Sequence, residues 1–141
     1  MKLYHGGQSE NGNVVRNPQV SQQKTIPNGM YDLVDNDADT RHVGWFRLDK
    51  QDGNRFNDKD DSTGRDGFRL HLGSVSWGCI TCDNSKDNRV DEWEVLSEII
   101  NNTSSETVKE KRGNQSKNPF SYLKKYGEVK VTGEDNVPLK Q

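Results

Sequence analysis

From Asp49 to Gly67 the chain is polar almost throughout, with Phe56 as its one large apolar residue. Such a stretch offers neither a 3.6-residue apolar stripe nor an alternating apolar face, so it supplies no core-facing helix or strand. Asp52-Gly53 and Thr63-Gly64 add turn chemistry. The segment is therefore a long loop, and loops beyond about 12–15 residues in a compact domain are commonly lids or binding loops. The core must come from short segments on either side. Only 28% of the residues are hydrophobic, yet 20 basic and 22 acidic residues nearly cancel to a net charge of −2. That balance favours a folded domain with a small core over a disordered chain. It also argues against a nucleic-acid partner or a general attraction to anionic lipid. A length of 141 residues fits one domain over 1–141, with 1–19 and 133–141 peripheral.

The flanking segments read mainly as strands. Residues 6–13 form a loop or hairpin rich in Gly, Asn and Ser. Pro27-Asn28-Gly29 is a turn signal, and Met30–Val34 after it suits a strand. His42–Leu48, with Val43, Trp45, Phe46 and Leu48, suits another. Phe68-Arg69-Leu70-His71-Leu72 alternates strictly, which turns Phe68, Leu70 and Leu72 to the core and Arg69 and His71 to the opposite face. Asp91–Ile100 is the best helix, with Asp91 and Glu94 at capping-box spacing and Trp93, Leu96 and Ile100 on one face. Residues 101–118 read as polar loop, Phe120–Tyr126 as a short helix stopped by Gly127, and Glu128–Thr132 as a closing strand. The expected class is mainly β, with one main helix and long polar loops.

The chemistry-bearing residues cluster between Gly67 and Cys82. Cysteine attacks as thiolate, and an unassisted thiol is only a few per cent ionised at neutral pH, so a nucleophilic cysteine needs a base. His71 stands eight residues before Cys79 on the polar face of its strand, with Gly73 and Gly78 allowing the chain to fold back. Gly78 also lets the backbone approach a substrate closely, so that amide groups beside Cys79 can hold an oxyanion. Other readings of the same residues stay open. Cys79 and Cys82 have C-x-x-C spacing, but the polar run after them lacks the helix that a redox pair expects. A zinc site from His71, Cys79, Cys82 and His5 or His42 lacks a second paired cluster. No metal or other cofactor is expected.

Ser76-Trp77-Gly78-Cys79-Ile80 resembles the S-x-G-C-I core of L,D-transpeptidase catalytic domains, with His71 upstream. Thr25-Ile26-Pro27-Asn28-Gly29-Met30-Tyr31 is similar to the same family's T-P-x-G-x-Y/F element. The short His-to-Cys spacing and Gly64-Arg65-Asp66-Gly67-Phe68 look most like the compact branch found among type VI secretion effectors, and Lys125–Val131 resembles its closing strand. The likeness covers roughly residues 20–132. The sequence departs from the family at Trp77, where many members carry His, and at Thr81 and Cys82, where Arg or Asn is common. Those departures bear on substrate contacts and leave the nucleophile and base in place.

The resemblance implies an L,D-transpeptidase-like β-sandwich that acts on peptidoglycan stem tetrapeptides through a thioester. It makes Cys79 the nucleophile and His71 its base. Ser76 or a backbone carbonyl orients the second imidazole nitrogen, with Ser74 a weaker choice. Arg65, Arg69, Trp77 and Ser74 become candidate substrate contacts, the arginines through the fork geometry that grips a carboxylate. The alternatives are a cysteine amidase or endopeptidase on the same polymer, or a non-catalytic metal- or thiol-binding module. No apolar run reaches the ~18 residues of a membrane span, and Met1–Gly7 lacks the apolar core of a signal peptide. The expectation is a protein made in the bacterial cytoplasm, or a domain of a longer chain, that is secreted to act in a target's periplasm and is matched by an immunity protein.

Overall fold

The structure is a computed structural model and describes residues 3–4, 8–10, 13–15, 25–73, 79–83, 89–111 and 122–133. Its strands are β1 (Leu3–Tyr4), β2 (Gln8–Glu10), β3 (Asn13–Val15), β4 (Gly29–Asp35), β5 (Phe46–Lys50), β6 (Arg69–Gly73), β7 (Ile80–Asp83), β8 (Glu106–Lys109) and β9 (Tyr122–Val131), and its helix is α1 (Arg89–Asn102). Among the described residues one seven-stranded sheet runs β1-β7-β6-β5-β4-β9-β8, and β2-β3 pair separately as the hairpin expected near residues 6–13. The protein is mainly β with one helix, as the alternation of its apolar residues requires. Within the large sheet β6 and β7 run parallel and the other pairs antiparallel.

Register gives the sheet two unlike faces. Leu33 stands opposite Leu48, and Phe46 opposite Leu70. With Ile26, Tyr31, Phe68, Val131 and Ile100 of α1 they form the buried core, against which Trp93 and Leu96 also pack. The expected apolar stripe of α1 is thus the one that docks. Each fully buried side chain of this kind contributes about 1.5–3 kcal/mol. Tyr31 meets Phe68 edge-on at 6.0 Å and donates its hydroxyl to the Pro27 carbonyl at 2.7 Å.

The other face carries Asp32 opposite Asp49, and Arg47 opposite both Val34 and Arg69. These charges are buried because the long loop after β5 folds over them. The Asp49 carboxylate accepts from the backbone N–H of Phe56 and of Asp58, both at 2.9 Å. Arg55 reaches down to Asp32 at 2.7 and 3.0 Å. Phe56 and Asp58 take positive φ of 64° and 61° to make this fit, a cost that the surrounding hydrogen bonds must offset.

Four local readings need correction. Phe120–Tyr126 was expected as a short helix, but Tyr122–Tyr126 belong to β9, where pairing with β4 and β8 outweighs local propensity. Polar Glu106–Lys109 forms edge strand β8 because β9 offers it a hydrogen-bonding edge. Residues 42–45 are a turn ahead of β5 rather than its first half, closed by Trp45 N–H to the His42 carbonyl at 3.3 Å with Gly44 at φ 82°. The helix begins at Arg89, which puts Asp91 inside its first turn and not at a capping-box N-cap.

Candidate active site

His71 and Cys79 are brought together by the one parallel pair of the large sheet. Leu70 pairs with Ile80 and His71 with Thr81. Stepping back one residue sets Cys79 beside Arg69, on the face that carries Arg69 and His71. Cys79 and His71 are therefore diagonal neighbours on one face, with Cα atoms about 8 Å apart from strand spacing and rise.

His71 is 4% exposed. Its Nδ1 lies 3.1 Å from the Leu72 carbonyl. A carbonyl only accepts, so Nδ1 carries the proton and Nε2 keeps the lone pair that a base needs. The Leu72 carbonyl is thus one partner of the ring, of the backbone kind weighed beside Ser76. Burial pushes the imidazole below its ordinary value, the Leu72 carbonyl opposes this, and a charge on His42 adds to the lowering. Trp45 stacks on the His71 ring at 4.0 Å and 14°, and His42 stacks on the far face of Trp45 at 4.1 Å and 27°. His42 Nδ1 is 2.8 Å from Asp39 Oδ2. Because the indole lies between the two imidazoles, His42 and His71 are not placed to share a metal ion.

Cys79 is half-buried, and its thiol points to the Gly67 carbonyl at 3.9 Å. Burial raises the thiol above its ordinary value; the Arg69 backbone N–H and the charges of Arg69 and Arg65 pull the other way without prevailing. Both shifts favour the uncharged forms, thiol and neutral imidazole. Strand β7 extends Ile80 and Thr81, so the Cα atoms of Cys79 and Cys82 lie roughly 10 Å apart, beyond disulfide reach.

The two candidate arginines occupy different settings. Arg69 is buried and grips Asp58 through both terminal nitrogens, at 2.7 and 2.8 Å. Arg65 is half-buried, donates to the Thr25 carbonyl at 2.7 Å and lies over the Phe68 ring at 5.0 Å. Burial lowers its pKa, with Tyr31, Asp60 and Cys79 opposing. Ser74, Ser76, Trp77 and Gly78 lie outside the described residues. Sequence reasoning placed Trp45 only in a strand and weighed His42 only as a zinc ligand, and it missed Asp39 and Asp58. The signal for Trp45 was present: alternation through Trp45-Phe46-Arg47-Leu48-Asp49 puts Trp45, Arg47 and Asp49 on the same side as Arg69 and His71. Asp58 gave no signal, since it reaches the site through a loop of irregular backbone.

Among the described residues no helix is long and apolar enough to cross a membrane. No curated protein and no solved structure matches the chain. A family model does: the Tlde1 domain matches residues 2–112, which include His71, Cys79 and the loop that covers the charged face. The chain belongs to the Tlde1 domain family, a type VI secretion effector family whose members modify the cell wall enzymatically.

Proposed function

We propose that the protein is a cysteine acyltransferase of the L,D-transpeptidase type, acting on peptidoglycan stem tetrapeptides after delivery into a target cell's periplasm. The carrying observation is the placement of His71 and Cys79 on one face of neighbouring parallel strands, with His71 Nδ1 tied to the Leu72 carbonyl. The thiol, which points to the Gly67 carbonyl, has to turn towards Nε2 for proton transfer. Apo sites are often loose in this way and tighten on substrate.

His71 Nε2 then takes the thiol proton as Sγ attacks the carbonyl of the third stem residue. Backbone amides around Gly78 and Cys79 stabilise the oxyanion. The C–N bond to the terminal D-alanine breaks, and His71 returns its proton to the leaving amine. A thioester on Cys79 remains. An amine acceptor, deprotonated by His71, attacks it to give a cross-link or an exchanged D-amino acid, while water gives the shortened stem.

Arg65, beside the thiol and partly open, is the better reader of the substrate's terminal carboxylate. Arg69, already held by Asp58, steadies the wall of the site. Trp77 and Ser74 are the remaining candidate substrate contacts, and Ser76 a candidate to orient the imidazole. An effector of this kind requires an immunity protein in the producing cell. The test is incubation with purified muropeptides followed by mass spectrometry. Loss of D-alanine, exchange or cross-linking with the wild-type protein, abolished in Cys79→Ala, supports the reading. Stems left intact by the wild type, or cut at another bond, reject it.

A further inference from the structure

The turn 39–45 lies outside both motifs that carry the family resemblance, yet its side chains reach the catalytic imidazole. Asp39 N–H donates to the Asn36 carbonyl at 3.0 Å and His42 N–H to the Asp39 carbonyl at 3.4 Å. Asp39 then fixes His42 at 2.8 Å, and Gly44 at φ 82° lets the chain swing Trp45 back over His71. The result is a stack in the order His71, Trp45, His42, with near-parallel rings.

We propose that Trp45, backed by His42 and Asp39, is a positioning residue for His71: it fixes the plane of the imidazole and holds His42 on the indole's far face. The role rests on the reading of His71 as the base. Rotation about the last bond of a histidine is broad and roughly two-fold, so a ring stacked flat on the imidazole adds to what the hydrogen bond to the Leu72 carbonyl fixes. The indole opposes tilting from one side. It also spreads the influence of His42. An imidazolium on His42, paired with Asp39, and an imidazolium on His71 would sit on opposite faces of one indole, about 8 Å apart, and repel. Elsewhere on this face Arg69 is paired with Asp58, and Arg47 with Asp49 and Glu110. Burial raises the Cys79 thiol above its ordinary value. A charge on His42 lowers the imidazole.

The experiment is an NMR titration of the His71 ring in the full chain, wild type against His42→Gln, with the kinetics of Trp45→Leu and Trp45→Phe on muropeptides alongside. In His42→Gln the His71 midpoint should rise by about half a pH unit, roughly threefold in protonation constant, for unit charges at this separation in a partly wet site. Trp45→Leu should lower kcat roughly tenfold with KM within about twofold, and Trp45→Phe should recover most of the loss by restoring a ring to stack. A His71 midpoint unmoved in His42→Gln overturns the proposal. So does a Trp45→Leu enzyme with wild-type kcat, or a Phe variant as poor as the Leu one. If the midpoint moves as stated while the wild type leaves muropeptides untouched, the positioning device stands and only the proposed reaction fails.

Discussion

Replacing Asp58 by Asn isolates the contact that ties the long loop to the site. The wild-type carboxylate takes both terminal nitrogens of Arg69, at 2.7 and 2.8 Å, and both residues are 8% exposed. Asn keeps the side-chain shape and, among ordinary residues, tolerates the φ of 61° well. It offers one acceptor in place of two and no charge, so Arg69 is left buried without its counter-ion. Arg47 is less affected, because Asp49 and Glu110 hold it at 2.6 Å each. Breaking a buried pair from one side costs about 3–5 kcal/mol, and the retained single hydrogen bond points to the lower end. With a urea dependence of about 1–3 kcal/mol per molar, the unfolding midpoint should fall by roughly 1–3 M. Pairing the change with Arg69→Met should cost less than the sum of the two, since the double variant strands no charge. A loss below about 1 kcal/mol, the value of an exposed pair, would refute the claim that this ion pair is buried and holds the loop.

Cys79→Ala should abolish activity with little change in stability, whereas Cys82→Ala should keep most activity; equal losses in turnover assays would indicate a redox or metal pair. Thiol titration without reductant should find two free thiols per chain, and finding none would mean that the backbone at 79–82 turns rather than extends. Alkylation of Cys79 by iodoacetamide should quicken roughly tenfold per pH unit from 7 to 9, because burial holds the thiol protonated; a rate already at plateau near neutrality would mean a preformed thiolate. Burial lowers the folded-state His71 pKa, so the unfolded chain binds the extra proton: stability is present above about pH 6.5 and should decline below it as pH falls towards the folded-state value, measured by urea melts across pH 5–8. Gly29→Ala should cost more than about 1 kcal/mol in the same melts, because φ is +137° and the new Cβ would stand 2.7 Å from Lys50 Cε.

Much of the architecture was legible because it rests on short-range pattern. Alternation at Phe68–Leu72 marked both the core face and the site face of β6, and the Trp93, Leu96, Ile100 stripe marked the docked side of α1. What local pattern hides is pairing. Glu106–Lys109 becomes a strand only because β9 lies beside it, and Tyr122–Tyr126 is held extended by two neighbours at once. The same limit applied at the site. The His71–Cys79 relation was readable from spacing and resemblance. The stack of Trp45 and His42 on His71 depends on cross-strand register, and the Asp58 clamp on Arg69 depends on a loop whose backbone follows no period. The polar loop was read as a lid or binding loop; that it buries Asp49 beside Arg47, Asp58 against Arg69 and Asp32 under its own Arg55 follows only from how it lies on the sheet.

The central claim is that Cys79 forms a thioester with a peptidoglycan stem. Intact-protein mass spectrometry, after rapid acid quench of the protein mixed with tetrapeptide muropeptide, tests it directly. The account predicts an adduct equal to the muropeptide less its terminal D-alanine, located on Cys79 by peptide mapping, discharged by hydroxylamine and absent from Cys79→Ala. Release of D-alanine by the Cys79→Ala protein, or an adduct mapped to any other residue, would contradict it.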